Sequence, residues 1–289
     1  MTVLVPDVSE FQSPASGNAP NWSLIKDQNG GAAIIRVGYG NDHLDRMLVS
    51  NRSTIKSLNY TFCGLYQYLR ADQDPVTQAG MFINWIGPDL NKGEIPILDL
   101  EEGSGNQSLR AEIWFGIIDA FYGLDQLPLN QRSWLYSYAV FVSDHNLGGI
   151  FASPRRTWIA AYQSTEPTIG HTLWQSTDGQ FGVNVVSWSG CGRVDTSIYH
   201  GDLPTLGAMG WQPTSPTPTL PTTSKKEVDM LHIKVTAPAG HVWTGTRTFL
   251  WSPGSAPSHI IDGATEGAVE AVMAAVVVSW GQYLAWGGS

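Results

Sequence analysis

Charge is scarce in this chain: only 14% of its 289 residues are Asp, Glu, Lys or Arg. Basic residues are the scarcer kind, 16 against 25 acidic, which leaves a net charge of −9 with His neutral. Affinity for nucleic acid comes from Lys and Arg neutralising phosphates, so nucleic acid is a poor partner for a chain this acidic. Cysteine is nearly absent. Cys63 and Cys191 are too few and too far apart for a disulfide framework, lack CxxC spacing for zinc, and read as two buried thiols acting as small hydrophobes, with a single bridge between them as the alternative. Long apolar runs are missing as well: the longest, 268–280, contains Glu270 and falls short of a membrane span. The first seven residues carry no basic segment, and their apolar run is too short for a signal peptide. The expectation is synthesis in the cytoplasm without membrane insertion, so that work elsewhere requires release by another agent. What the chain has in quantity is apolar surface, 42% hydrophobic residues with twelve Trp. That is enough for a large core, and it excludes disordered, collagenous and coiled-coil classes.

Proline marks one break. Residues 213–224 hold four Pro, five Thr, two Ser and one Leu. Such a segment favours extended polyproline II, a semi-rigid spacer of roughly 37 Å at ~3.1 Å per residue. The expected organisation is a module at 1–212, a Pro/Thr-rich linker at 213–228 and a small domain at 229–289. Within the first module, short β-branched and aromatic segments recur at 3–8, 32–38, 63–69, 95–101, 133–138, 158–162, 173–176 and 194–198, each bounded by turn residues. The early gaps have room for helices. In one of them Ser108 is a candidate N-cap, Ile113, Ile117 and Phe121 fall at i, i+4, i+8, and Gly123 can end the helix. Strands alternating with helices imply parallel βαβ units. The gap 163–172, with Pro167 and Gly170, is too short and broken for a crossover helix, and 177–193 reads as a loop or hairpin. The expected fold is α/β, a barrel regular in its first half and loop-connected in its last strands.

With charge so scarce, acids inside apolar strands are conspicuous. The run Ile95-Pro96-Ile97-Leu98-Asp99-Leu100-Glu101-Glu102 places Asp99 and Glu101 two apart. Strand side chains repeat every two residues, so both carboxylates share a face at ~6.6 Å along the backbone, given ~3.3 Å rise per residue. Leu98 and Leu100 take the other face, and Glu102 turns toward solvent or a neighbouring loop. Asp7 lies at the end of the first segment and Asp195 in the last; closing the barrel would bring them together with the Asp99–Glu101 pair. Four acids around one cup would repel, raising at least one pKa and leaving a protonated acid beside ionised ones. Those are the two roles that glycosidic cleavage requires. Taken alone, Asp7 or Asp195 also fits an N-cap or turn. A divalent-metal cluster is the other functional reading, although nothing resembles a calcium loop or a phosphate-binding glycine loop.

These residues, in this order, resemble the family 25 glycoside hydrolases, muramidases that are called endolysins when phage-encoded. The resemblance rests on Asp7-Val8-Ser9 with Gln12, Asp99-Leu100-Glu101, Leu135-Tyr136, Trp158-Ile159-Ala160-Ala161-Tyr162, Leu173-Trp174-Gln175 and Val194-Asp195, and covers roughly residues 1–205. It implies an irregular (β/α)5β3 TIM-like barrel, no cofactor, and hydrolysis of the β-1,4 bond between N-acetylmuramic acid and N-acetylglucosamine in bacterial peptidoglycan. Glu101 would be the proton donor, Asp99 would orient the substrate's acetamido group, and Asp7 and Asp195 would complete the cup. A covalent carboxylate and an acetamido-assisted route both remain open. The family's usual Tyr-His-Phe reads here as Tyr66-Gln67-Tyr68, taken as divergence in substrate contacts. Tyr66, Tyr136, Trp158, Tyr162 and Trp174 are candidate sugar platforms, with barrel packing as the competing reading, and Gln175 joins them as a binding candidate. Arg36 would pair with the cup or with a structural carboxylate. His43, His145, His171 and His200 lack ligand spacing and read as surface or packing residues.

The region 229–289 holds Trp243, Trp251, Trp280 and Trp286, with strands expected at 232–236 and 241–249 and a helix at 267–278. A tethered wall-binding module would raise the local concentration of the catalytic module on an insoluble polymer. A homo-oligomerisation unit, hiding Val269, Val272, Met273, Val276 and Val277 between copies, is the equal alternative. For the whole chain, the competing class is a non-catalytic glycan-binding protein on a glycosidase-like barrel, and the intact acids argue against it.

Overall fold

The computed structural model describes residues 1–17 and 19–213 in full and, beyond them, the backbone of three strands. The chain divides into two units at the Pro213/Thr214 junction. In the first unit eight strands follow one another around a closed barrel: β1 (Val3–Val8), β2 (Ala32–Tyr39), β3 (Phe62–Tyr68), β4 (Glu94–Asp99), β5 (Trp134–Tyr138), β6 (Thr157–Ala160), β7 (Leu173–Thr177) and β8 (Thr196–Tyr199). Neighbours from β1 to β7 pair in parallel. β8 runs antiparallel to both β7 and β1 and closes the ring.

Helices fill the first five connections: α1 (Trp22–Asn29), α2 (Leu48–Ser57), α3 (Pro75–Ile86), α4 (Ser108–Phe121), then the short α5 (Ala139–Asp144) and α6 (Gly148–Phe151). β6 and β7 are joined without a helix, and β7 and β8 by a loop carrying the ribbon Ser187–Trp188 with Gly192–Arg193. A final helix, α7 (Leu203–Met209), follows β8. This is the (β/α)5β3 arrangement that the family resemblance implies, and it matches the expected barrel with a regular first half and loop-connected last strands. Local chemistry supports it: Asp74 accepts from the Thr77 amide ahead of Pro75 in α3, and Asp202 caps α7 through the Thr205 amide.

Alternation along the strands sorts two cores. Val3, Val5, Ala32, Ile34, Phe62, Ile95, Ile97, Trp134 and Trp158 fill the barrel. Val8, Ile35, Val37, Leu65, Leu98, Leu135, Ile159 and Ile198 face outward and pack with the helices. The interior is tight at β3, where a Cβ on Gly64 would meet Ile97 Cδ1 at 2.7 Å and Ile34 Cγ1 at 2.9 Å. Cys63 and Cys191 are buried free thiols, as expected.

Three local expectations need correction. α4 buries Ala111, Trp114, Phe115, Ile118 and Asp119, not the stripe Ile113, Ile117 and Phe121. The helix is apolar on several faces, and the deeper face is chosen by Trp114, which packs edge-on against Phe82. Its cap shifts too, because Asn106 accepts from the Ser108 amide and Ser108 is already helical. Gln67 is fully buried and faces outward: it accepts from Trp114 Nε1 at 2.8 Å and donates to the carbonyls of Gly40 and Gln78. The departure from Tyr-His-Phe therefore lies among the helices and not in the substrate contacts.

In the second unit Leu231–Thr236, Thr246–Trp251 and His259–Ile260 form an antiparallel three-stranded sheet. The first strand matches the expectation, the second overlaps the expected 241–249 over its described residues, and the third was not anticipated. The expected helix at 267–278 lies outside the described residues.

Candidate active site

Each acid is brought to the same rim by a different turn of the chain. Asp7 is the penultimate residue of β1, Asp99 the last of β4, and Glu101 stands two residues past it. Asp195 immediately precedes β8. A parallel eighth strand would carry Asp195 to the opposite mouth; because β8 is antiparallel, its beginning meets the ends of β1 and β4. The Asp7 amide donates to the Asp195 carbonyl at 2.8 Å, so the two acids sit side by side. A register shift between Thr196 and Ser197 against β7 bends the chain beside them.

Desolvation leads in raising all four pKa values, and neighbouring carboxylates add to it. Asp7 is pushed well up by burial and then by Asp195, with Arg36 opposing. Asp99, 4% exposed, is raised by burial, by the charge of Glu101 and by a hydrogen bond to that carboxyl. Glu101 is raised by burial and by Asp195, while the bond from Asp99 works the other way. Asp195 rises to about 6 through burial and Asp178, moderated by Gln175. Asp99 and Glu101 therefore influence each other's titration and are both biased toward the protonated form, with Glu101 the more exposed member. One oxygen each of Asp7 and Asp99 is buried with no hydrogen-bond partner in the protein. Orphaned buried acceptors of this kind suit a polar ligand that completes them.

The other candidates divide. Tyr66 and Tyr136 face the acids, and burial together with Asp7 for the first and Glu101 for the second holds their hydroxyls protonated. Trp158 is 1% exposed and packs on both rings, its indole N–H donating to Ser197 Oγ at 2.8 Å, so it forms the floor and offers no open face. Trp174 faces outward into the helix layer and donates to the Ala161 carbonyl; the alternation of β7 takes it out of the cup. Gln175, its neighbour on the inner face, donates to Asp195 Oδ2 at 2.7 Å and holds that carboxylate in place. Tyr162 is 43% exposed in the loop after β6. Arg36 takes the second of its two expected roles. Its Nε bonds Asp45 and its Nη2 bonds Glu10 at 2.9 and 3.0 Å, while its charge still reaches Asp7.

Two features escaped the sequence reading. Tyr68, one inward step above Tyr66, stacks on Tyr39 and donates to Glu102, whose other oxygen accepts from the Ala71 amide. Strand alternation alone would have singled it out. The second is the network around Glu10, which is buried yet held down to about 2 by hydrogen bonds from His43 and Arg46. No periodic signal joins Glu10, Arg36, His43, Asp45 and Arg46, because they meet only when the loops after β1 and β2 fold together. His145, His171 and His200 bond Gly105, Glu166 and Glu166 respectively, in surface or packing positions. Among the described residues no group of His, Cys, Asp and Glu is arranged to hold a metal ion.

Comparison with known proteins identifies the family and the fold. The family model described as glycosyl hydrolases family 25 matches residues 6–182, a span that includes Asp7, Asp99 and Glu101 and ends before Asp195. The catalytic domain of the endolysin Ply40 from a bacteriophage of Listeria monocytogenes is 25% identical, with a TM-score of 0.53 over 72% of this chain and 98% of that one. A bacterial lysozyme from Streptomyces coelicolor shares 21% identity and a TM-score of 0.57 over 72% and 96% of the two chains. A muramidase from Trichobolus zukalii shares 18% and 0.58 over 72% and 98%. No curated protein matches the chain.

Proposed function

Since this chain belongs to glycosyl hydrolases family 25 and is a glycoside hydrolase, we propose that it is a peptidoglycan muramidase of the phage endolysin type. The bond would be the β-1,4 link between N-acetylmuramic acid and N-acetylglucosamine. The observation that carries this reading is the meeting of four acids at one rim: the buried Asp99 with Glu101 at the end of β4, and Asp7 and Asp195, joined by a backbone hydrogen bond, with the Asp195 charge acting on both Glu101 and Asp7. The likeness to a phage endolysin domain and to a bacterial lysozyme supports the substrate.

Glu101, the accessible member of the pair, gives its proton to the glycosidic oxygen as the bond to the anomeric carbon breaks. The oxocarbenium-like carbon that results is stabilised by negative charge, which Asp195 supplies above pH about 6. Water adds its hydroxyl to that carbon and returns a proton to Glu101, which restores the acid. Burial and Asp195 bias Glu101 toward its protonated form, and Asp99, with Asp7, presents the unpartnered oxygens that suit an acetamido N–H or a sugar hydroxyl.

In this reading the enzyme is made in the host cytoplasm and reaches the wall after release, and residues 229–289 bind the wall. Among the described residues no helix is long and apolar enough to cross a membrane. The test is Glu101→Gln assayed for new reducing ends on purified walls. Release should fall by at least about a thousandfold while wall binding persists. Undiminished release would overturn the assignment, and mass spectrometry of wild-type products identifies the bond from the sugar at the new reducing end.

A further inference from the structure

Large exposed aromatics are costly to leave in water and informative when the backbone around them is rigid. Phe11 and Phe181 are each 68% exposed. Phe11 sits in a turn fixed on both sides. The Ser9 amide donates to Gln12 Oε1, the Gln12 amide to the Ser9 carbonyl, the Glu10 amide to Asp45 Oδ2, and Ser16 Oγ to the Phe11 carbonyl. Its ring also lies 5.2 Å from the Arg36 guanidinium carbon, which holds it against the network below. Phe181 is presented in the same way: its own amide and that of Gln180 both donate to Asp178 Oδ1, and the following Val183 pairs back onto Ser176.

The barrel order places these two rings. Phe181 follows β7, Asp195 precedes β8 and Phe11 follows β1, three consecutive strands around the mouth. The exposed Tyr162, after β6, extends the same arc. In barrel order a catalytic carboxylate thus lies between two rigidly held, solvent-exposed rings, each tied to the cup through one residue: Phe11 lies on Arg36, whose charge reaches Asp7, and the Phe181 amide bonds Asp178, whose charge reaches Asp195. The apolar C–H face of a pyranose packs on such a ring while its hydroxyls remain hydrated. We propose that Phe11 and Phe181 are platforms for pyranose rings of an extended glycan strand, beyond the sugar pair being cleaved, and that they set a preference for long strands. The proposal rests on the muramidase reading for its substrate and deepens it.

The experiment uses the full chain with Phe11→Ala, Phe181→Ala, the double variant, and Phe→Tyr at each position. Substrates are purified uncrosslinked glycan strands and a peptidoglycan tetrasaccharide. For each alanine variant KM on strands should rise about tenfold relative to any rise on the tetrasaccharide, with kcat within about twofold; Tyr should restore KM. The same substitutions in a Glu101→Gln background read strand affinity by calorimetry without turnover, and should weaken it about a hundredfold in the double variant. Strand affinity within twofold of the parent, or equal losses on the two substrates, overturns the proposal. Failure of the muramidase reading shows separately, as wild-type enzyme that binds strands but releases no muramic acid reducing ends.

Discussion

Asp195→Asn should stabilise the barrel at neutral pH while disabling it. In the folded chain Asp195 titrates at about 6 against an ordinary 3.8. The folded state therefore holds this proton more tightly than the unfolded state. That contribution is intact below pH 3.8 and is lost as pH rises to about 6, above which the whole difference counts against the fold. The gap corresponds to about 3 kcal/mol. Asparagine is isosteric, cannot ionise, and its Oδ1 can still accept from Gln175, so the substitution recovers most of the loss. Above pH 7 the gain should be 2–3 kcal/mol, or roughly 5–10 °C in the melting of a unit of this size. Below pH 4 it should vanish. Near-UV circular dichroism of the barrel's buried tryptophans, Trp114, Trp134 and Trp158 among them, reports the transition in the intact chain at pH 4, 5, 6 and 7.5. A melting difference independent of pH, or a destabilised variant at pH 7.5, would refute the claim that burial and Asp178 hold this carboxylate away from its ordinary range.

Turnover should follow the same titrations. kcat/KM is expected to rise near pH 6 as Asp195 ionises and to fall at higher pH as Glu101, raised by burial and Asp195, loses the proton it donates. Gln175→Leu removes the hydrogen bond that favours ionised Asp195; a bond to a charged group contributes about 1.5–3 kcal/mol, so the acidic limb should move up by about one to two pH units. A pH–rate profile with an unmoved limb would show that another group sets it. Truncation after residue 213 should leave cleavage of soluble wall fragments largely in place and reduce lysis of intact cells. Loss of lysis accompanied by a change from dimer to monomer in light scattering would instead assign the tail to oligomerisation.

Strand positions were legible because the chemistry that marks a barrel strand is local. Alternation, β-branched residues and bounding turns fall within six or seven residues, and a chain with only 14% charge makes an acid at a strand end stand out. Asp99 and Glu101 could be paired from spacing alone. Helix faces were less legible for the opposite reason. α4 is apolar almost all round, so its periodicity admits more than one buried stripe, and the choice depends on Gln67 and Phe82 of elements distant in sequence. Gln67 itself shows how a departure from a motif misleads: the position is buried beneath two helices, and its polar atoms answer to backbone carbonyls and an indole, not to a sugar.

Asp195 shows what adjacency on a closed sheet adds to sequence. Closure makes the first and last strands neighbours, but neighbours in either direction satisfy closure, and only an antiparallel β8 turns the start of that strand toward the acids. The helix-less connection from β7 permits this reversal, since a parallel return would have required a crossover along the barrel's length. The irregular last third of the barrel is therefore what completes the acidic cup. The same loops explain why the exposed aromatics were missed. In a linear reading an apolar residue near a strand counts toward the core, and exposure becomes visible only when Gln12, Asp45 and Ser16, or Asp178, are seen to bind the backbone around a ring that nothing covers. Rigidity bestowed on an uncovered apolar group, at a rim where charge is already held out of its ordinary range, is what separates a ligand platform from an accidental surface phenylalanine.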